Sequence, residues 1–207
     1  MNHFLPPATK VCGVRRVADA QACALAGVRF AGLNRVATSH RCVSVDACGP
    51  LVHALGQVTP VVVYRNQTVA EILRETKQLG VSWVQLHGAE TLQEAAELVR
   101  EGLHVIRALD GSTAPDALLA WQAVADIVLL DSPKPGSGLP WSWSVPPALD
   151  AGRVWIAGGL TPETVATALR QSGAAGVDAA SGLESNGQLD CDRISEFVRQ
   201  ATNIVGQ

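Results

Sequence analysis

Cys12 and Asp131 each close a short apolar run, Lys10-Val11-Cys12 and Ile127-Val128-Leu129-Leu130-Asp131. Such a pair has the makings of a base and an acid. A thiol becomes a base or nucleophile when nearby positive charge or a helix dipole stabilises its thiolate. A carboxyl group donates a proton near neutral pH when burial raises its pKa. Each residue also has a plainer alternative, because free cysteines are often small buried hydrophobes and aspartates after strands often cap loops. Ala157-Gly158-Gly159-Leu160-Thr161-Pro162 and Ala180-Ser181-Gly182 suggest a different task. Glycines let a backbone approach a ligand, and a following helix offers unpaired N–H groups that attract an anion. One Gly-Gly alone reads equally as a tight turn, whereas two small loops in neighbouring units favour a phosphate cradle. Arg41, in Thr38-Ser39-His40-Arg41-Cys42, carries a planar fork suited to a carboxylate. His87, in Gln85-Leu86-His87-Gly88, is a polar group at another strand end, where a lone histidine is often only structural.

The elements that must position these groups follow from hydrophobic patterning. Eight short apolar or β-branched runs begin at Lys10, Phe30, Val61, Trp83, His104, Ile127, Val154 and Gly176, at separations of 20, 31, 22, 21, 23, 27 and 22 residues. Each separation is the length of a strand, a helix and two loops. Helical periodicity fills the gaps at 17–26, 45–55, 69–79, 92–101, 115–121, 162–171 and 194–201. Gly27, Gly80, Gly102 and Gly173 supply stop signals, and Thr161 with Pro162 suggests a capped start. The stretch between the sixth and seventh strands is the weak unit, since Pro140, Pro146 and Pro147 crowd it.

The strands are apolar on both faces, as in a buried parallel sheet, so strict alternation leaves an open doubly wound sheet or a closed barrel. No G-x-G-x-x-G follows the first strand, and eight units in 207 residues favour a single (β/α)₈ TIM barrel domain over 1–207. In such a barrel the chemistry lies at the C-terminal strand ends. Those ends carry Cys12, Asn34 and Arg35, Asn66, His87, Arg107, Asp131, Gly158 and Gly159, and Asp178 with Ser181.

Composition removes several classes of partner. With 16 basic and 19 acidic residues the net charge is -3, and no Lys/Arg cluster stands ready for nucleic acid or an anionic membrane. No apolar run approaches the roughly 18 to 20 residues that span a bilayer, and the N-terminus lacks a signal-peptide pattern, so a cytoplasmic location is expected. Five scattered cysteines without a C-x-x-C pair read as free thiols. Trp83, Trp121 and Trp155 read as core, while Trp141 and Trp143 are placed to cover a closing site.

Lys10-Val11-Cys12-Gly13, Gln85-Leu86-His87-Gly88, Leu129-Leu130-Asp131, Gly136-Ser137-Gly138, Ala157-Gly158-Gly159-Leu160 and Val177-Asp178 through Ser181-Gly182-Leu183-Glu184 follow one another along the chain in an order and rough spacing that a known family shares. Together they resemble phosphoribosylanthranilate isomerase, a barrel enzyme of tryptophan biosynthesis, across residues 10–201. The resemblance implies an Amadori rearrangement of N-(5-phosphoribosyl)anthranilate that needs neither metal nor redox cofactor. It implies that Asp131 protonates the ribose ring oxygen and that Cys12 removes the C2 proton. It further implies that Arg41 meets the anthranilate carboxylate, that Asp178 meets sugar hydroxyls, and that Gly158, Gly159, Ser181 and Gly182 hold the phosphate. The expected partner is a small phosphorylated molecule, and the chain a monomer or homodimer.

Three departures mark this chain. The family's Phe-x-Pro-Lys-Ser-x-Arg is Arg35-Val36-Ala37-Thr38-Ser39-His40-Arg41, keeping the serine and the last arginine. Its Gly-Ser-Gly-Lys-x-Phe-Asp-Trp loses the lysine and aspartate, and its Ser-Ser-Gly is Ala180-Ser181-Gly182. Two other readings stay open: a catalytically silent barrel that binds a phosphorylated ligand, and an isomerase of the histidine-pathway aldose. The latter uses paired aspartates at the first and fifth strand ends, where this chain has Cys12 at the first.

Overall fold

Eight parallel strands close on themselves in sequential order: β1 (Ala8–Cys12), β2 (Phe30–Asn34), β3 (Thr59–Tyr64), β4 (Trp83–Leu86), β5 (His104–Asp110), β6 (Ile127–Asp131), β7 (Val154–Ile156) and β8 (Gly176–Ala179). β8 returns to β1 with Lys10 opposite Asp178 and Val11 opposite Ala179. The computed structural model describes residues 6–132 and 143–206. The expected closed (β/α)₈ barrel is thus the observed architecture.

Both faces of each strand are buried, for different reasons. Outward residues such as Val11, Leu33, Val62, Val84, Val105 and Val177 pack beneath the helices. Inward residues form a separate cluster of Ala8, Phe30, Val61, Ile106, Ala108, Leu129, Trp155 and Ala157. Alternation along a strand makes this division automatic. Near the strand starts the ring of Phe30 meets Trp83 edge-on at 5.2 Å and Trp155 at 4.9 Å between centroids. Gly176 makes room, since a Cβ there would stand 2.6 Å from the Trp155 indole. The barrel floor is therefore aromatic. Towards the strand ends the inward positions become polar, with Lys10, Gln85 and Asp178 all buried.

The helices are α1 (Val17–Ala26), α2 (Val45–Leu55), α3 (Val69–Leu79), α4 (Leu92–Arg100), α5 (Pro115–Gln122), α6 (Val165–Ser172) and α7 (Cys191–Thr202). Thr68 with Glu71 and Thr91 with Glu94 form reciprocal capping boxes on α3 and α4. Gly27, Gly80 and Gly173 end α1, α3 and α6 in the left-handed region, as expected. Two starts differ from expectation. Residues 162–164 form a turn, in which the Thr161 N–H donates to the Thr164 hydroxyl at 3.0 Å, so α6 begins at Val165 rather than behind a Thr161 cap. α7 begins at Cys191, ahead of its apolar stripe, because Asp190 accepts the N–H groups of Asp192 and Arg193.

The weak unit has no α-helix among its described residues; a 3₁₀ turn at Ala151–Arg153 leads into β7. After β8 a small hairpin, β9 (Glu184–Ser185) with β10 (Gln188–Leu189), lies against the loop after β1. Arg15 donates to Gly187 O at 2.5 Å and Arg16 to Leu189 O at 3.1 Å, so these arginines pin the hairpin instead of standing free in solvent. All five cysteines are free thiols. No helix of the described residues is long and apolar enough to cross a membrane.

Because Trp155 fills the floor against Phe30, Trp155→Ala should lower the unfolding free energy by about 3 to 5 kcal/mol in a urea titration.

Candidate active site

A cavity of about 220 Å³ opens at the C-terminal strand ends. Its lining includes Cys12, Arg41, His87, Asp131, Gly158, Gly159, Asp178, Ser181 and Gly182, so the residues named for proton transfer, phosphate and the other substrate contacts reach one space. A larger cavity of about 460 Å³ adjoins it, sharing Asn34, Val63, His87 and Asp131 and extending to Arg65, Asp110 and Thr113.

Asp131 ends β6. Its Oδ1 accepts the Ser132 N–H at 2.7 Å, and its Oδ2 lies 3.7 Å from His87 Nε2. Burial pushes the carboxyl pKa up, against the opposing pull of the Ser132 N–H and of Lys10. His87 moves the other way, since burial favours its neutral form. Gly158 fits here for a steric reason. Its φ is +83°, and a Cβ would stand 2.6 Å from Ser132 N and 2.9 Å from Asp131 Oδ1. Gly159 also has positive φ, at +69°. Gly182 lies so close to the Leu160 carbonyl that no side chain fits, which draws the loops after β7 and β8 together.

Cys12 ends β1 two residues after Lys10, and the alternation of the strand turns both inwards. Lys10 is wholly buried, and its Nζ donates to Asp178 Oδ2 at 2.9 Å. The other oxygen, Asp178 Oδ1, is buried with no hydrogen-bond partner. Burial pushes the Cys12 thiol pKa up, while the ammonium of Lys10 pulls it down. Lys10 is a buried functional candidate that the motifs do not single out. Its signal was present: a lysine inside an apolar strand, at i−2 from the candidate thiol.

Arg41 holds a fork on Glu184, with Nε 2.7 Å from Oε1 and Nη2 2.8 Å from Oε2, and this depresses the pKa of Glu184. The arginine passes tightly over Gly13, whose φ is +87°. Glu184 stood in the motif after β8 without an assigned task, and here it tethers the loop after β2 to that segment.

Other strand-end candidates serve the frame. Arg35 turns away and forks onto Glu75 at 3.0 and 2.9 Å. Arg107 faces outwards from the barrel, 4.4 Å from the Trp121 ring centroid and paired with buried Glu90 at 2.5 Å. Glu90 also accepts the N–H groups of Asn66 and Gly88, both at 2.7 Å. Asn66, with φ +66°, accepts the Ala89 N–H at 2.6 Å. This network ties the turn that follows His87 to the loop after β3 and to β5. Asn34 is spent locally, its Oδ1 accepting the Val36 N–H at 2.7 Å.

The expectation for Trp143 needs correction. The residue is 7% exposed and packs in the core, and its indole N–H donates to Gly158 O at 3.4 Å, so it props the loop after β7 from beneath rather than covering the site. Trp141 and the Gly136-Ser137-Gly138 motif lie outside the described residues. Among the described residues, Asp190, Cys191 and Asp192 converge at the start of α7. The capping bonds of Asp190 account for that cluster, and none of the three lines the mouth.

Residues 9–200 match the model of a family described as N-(5′-phosphoribosyl)anthranilate (PRA) isomerase. The protein of that name from Ruegeria sp. (strain TM1040) is 35% identical, covering 94% of this chain and 97% of the relative. Its counterpart from Paracoccus denitrificans (strain Pd 1222) is 36% identical, covering 93% and 96%. Among solved structures, phosphoribosyl anthranilate isomerase from Thermus thermophilus aligns with a TM-score of 0.80 at 30% identity, covering 95% of this chain and 99% of that one. A phosphoribosyl anthranilate isomerase in complex with reduced 1-(o-carboxyphenylamino)-1-deoxyribulose 5-phosphate aligns at 0.82 with 27% identity, again covering 95% and 99%.

Removing the carboxylate that holds Arg107 leaves a buried guanidinium uncompensated. Glu90→Ala should therefore cost about 3 to 5 kcal/mol of stability in chemical denaturation, more than a surface pair would.

Proposed function

Because the chain belongs to the N-(5′-phosphoribosyl)anthranilate isomerase family, we propose that Asp131 and Cys12 are the acid and base of its reaction. That reaction is the Amadori rearrangement of N-(5′-phosphoribosyl)anthranilate in tryptophan biosynthesis. The observation that carries the assignment is the meeting of two proton-transfer groups from β6 and β1 around one cavity, with the carboxyl pKa raised by burial. Proton transfer at two different substrate atoms requires two groups on different sides of the substrate.

Asp131 gives its proton to the ribose ring oxygen, and the C1–O bond breaks to leave a Schiff base. Its seat against the Ser132 N–H and Gly158 fixes the direction of delivery. The Cys12 thiolate then takes the proton from C2, and the freed pair forms the C1–C2 double bond of an enolamine as the π pair of the C1–N double bond returns to nitrogen. Gain of a proton at C1 and loss of the C2 hydroxyl proton give the ketone. Two side chains suffice for these transfers, so neither metal nor redox cofactor is called for.

The remaining assignments concern binding. Gly158, Gly159, Ser181 and Gly182 hold the phosphate, supported by the positive φ of both glycines after β7 and the close approach of the loop after β8. Arg41 meets the anthranilate carboxylate through the part of its guanidinium that Glu184 does not occupy. Asp178 Oδ1 accepts a sugar hydroxyl, and His87 keeps its polar place beside Asp131. The partner in this reading is the small phosphorylated substrate, turned over by a single-domain monomer or homodimer in the cytoplasm.

Loss of phosphoribosylanthranilate fluorescence reports turnover directly. Cys12→Ala and Asp131→Asn should each lower kcat by at least about a hundredfold with little change in Tm, and near-normal turnover in either removes that residue from the mechanism. Arg41→Ala should raise KM by about tenfold or more and change kcat less, because the carboxylate it holds does not react; an unchanged KM returns Arg41 to a purely structural place.

A further inference from the structure

Lys10 is a costly residue to bury. Below it the barrel is filled with Phe30, Trp83 and Trp155, and replacing a buried ion pair by well-packed apolar side chains is often neutral or stabilising. Packing therefore does not explain an ammonium at this depth, and its surroundings offer another reason. A Cβ on Gly32, the residue opposite Cys12 on β2, would stand 2.8 Å from Cys12 Sγ and 3.1 Å from Lys10 Nζ. Thiol and ammonium thus lean over the same glycine, and on the far side Asp178 takes the ammonium at 2.9 Å.

We propose that Lys10 is a positioning residue for the isomerisation: its buried ammonium is the cation for which the Cys12 thiolate and the Asp178 carboxylate compete, and it sets how much of Cys12 is ionised. This rests on Cys12 being the base. The charged groups around the thiol support it. Lys10 lies on the same strand and Asp178 on β8, while Arg41, from the loop after β2, is forked onto Glu184 and pulls the thiol pKa down less than Lys10 does. His87 and Asp131 face the cavity from beyond β4 and from β6, and Asn34 and Gln85 are uncharged. Lys10 with one anion is neutral; Lys10 with both anions carries an excess negative charge in a buried place. The two acids therefore titrate as a coupled pair. The directions agree, since Lys10 lowers the Cys12 pKa and Asp178 raises it.

The competition predicts shifts of opposite sign, which a merely structural lysine would not produce. Alkylation of Cys12 by iodoacetamide, followed against pH without substrate and read on the Cys12 peptide by mass spectrometry, measures the ionisation. Lys10→Met should raise the midpoint by about one pH unit or more, a tenfold loss of thiolate at a given pH. Asp178→Asn should lower it. In Lys10→Met, kcat near neutral pH should fall about tenfold or more, with KM within about threefold. If circular dichroism finds Lys10→Met unfolded, Lys10→Met/Asp178→Asn carries the same test, its midpoint lying above that of the unaltered chain. Midpoints that stay put, or that move the same way in the two single variants, overturn the proposal. A raised midpoint in Lys10→Met with unchanged kcat upholds the control by Lys10 and overturns Cys12 as the base.

Discussion

The ion pair of Lys10 and Asp178 spans the seam where the last strand returns to the first. The two residues are register partners, so their meeting requires the barrel to close with this one pairing of β8 against β1. A shift by one residue would turn each inward side chain out beneath the helices and leave a charge among valines. Each half of the pair is costly alone at this depth, because removing one partner of a buried pair strands the other. Closure of the sheet and assembly of the mouth are in this sense one event.

Around that pair the mouth is built by close approach. Gly32 leaves space for the thiol and the ammonium, Gly158 for the Asp131 carboxyl, and Gly182 for the Leu160 carbonyl. At each of these positions any side chain would collide with backbone or with a chemically active group. Gly158 and Gly182, after β7 and β8, therefore answer a steric demand. Trp143 belongs to the same construction, since its indole supports the Gly158 carbonyl from the core side.

Three Arg–Glu pairs do for the loops what glycine does for the strand ends. Arg35 with Glu75 and Arg41 with Glu184 join segments 40 and 143 positions apart, and Arg107 with Glu90 spans 17. The forks of Arg35 and Arg41 fix direction as well as distance, while Arg107 divides its guanidinium between Glu90 and the Gly88 carbonyl. Arg107 illustrates how misleading a strand-end position can be. It lies one residue out of phase with the inward face of β5 and turns to Trp121 and Glu90.

Much was legible in one dimension. Eight apolar runs, 20 to 31 residues apart, narrow the fold to an open doubly wound sheet or a closed barrel, and eight units in 207 residues favour the barrel, with Cys12, Asp131 and His87 at its strand ends. Period-two alternation would also have put Lys10 on the inward side with Cys12. Which charge pairs with which was beyond that information. Lys10 and Asp178 are separated by 168 positions, and Arg41 and Glu184 by 143, so only closure of the sheet decides that they touch. Local patterning records which face a side chain takes; partnership and burial, and with them the ionisation of the thiol and carboxyl, are properties of the folded chain because they depend on what the rest of it brings near.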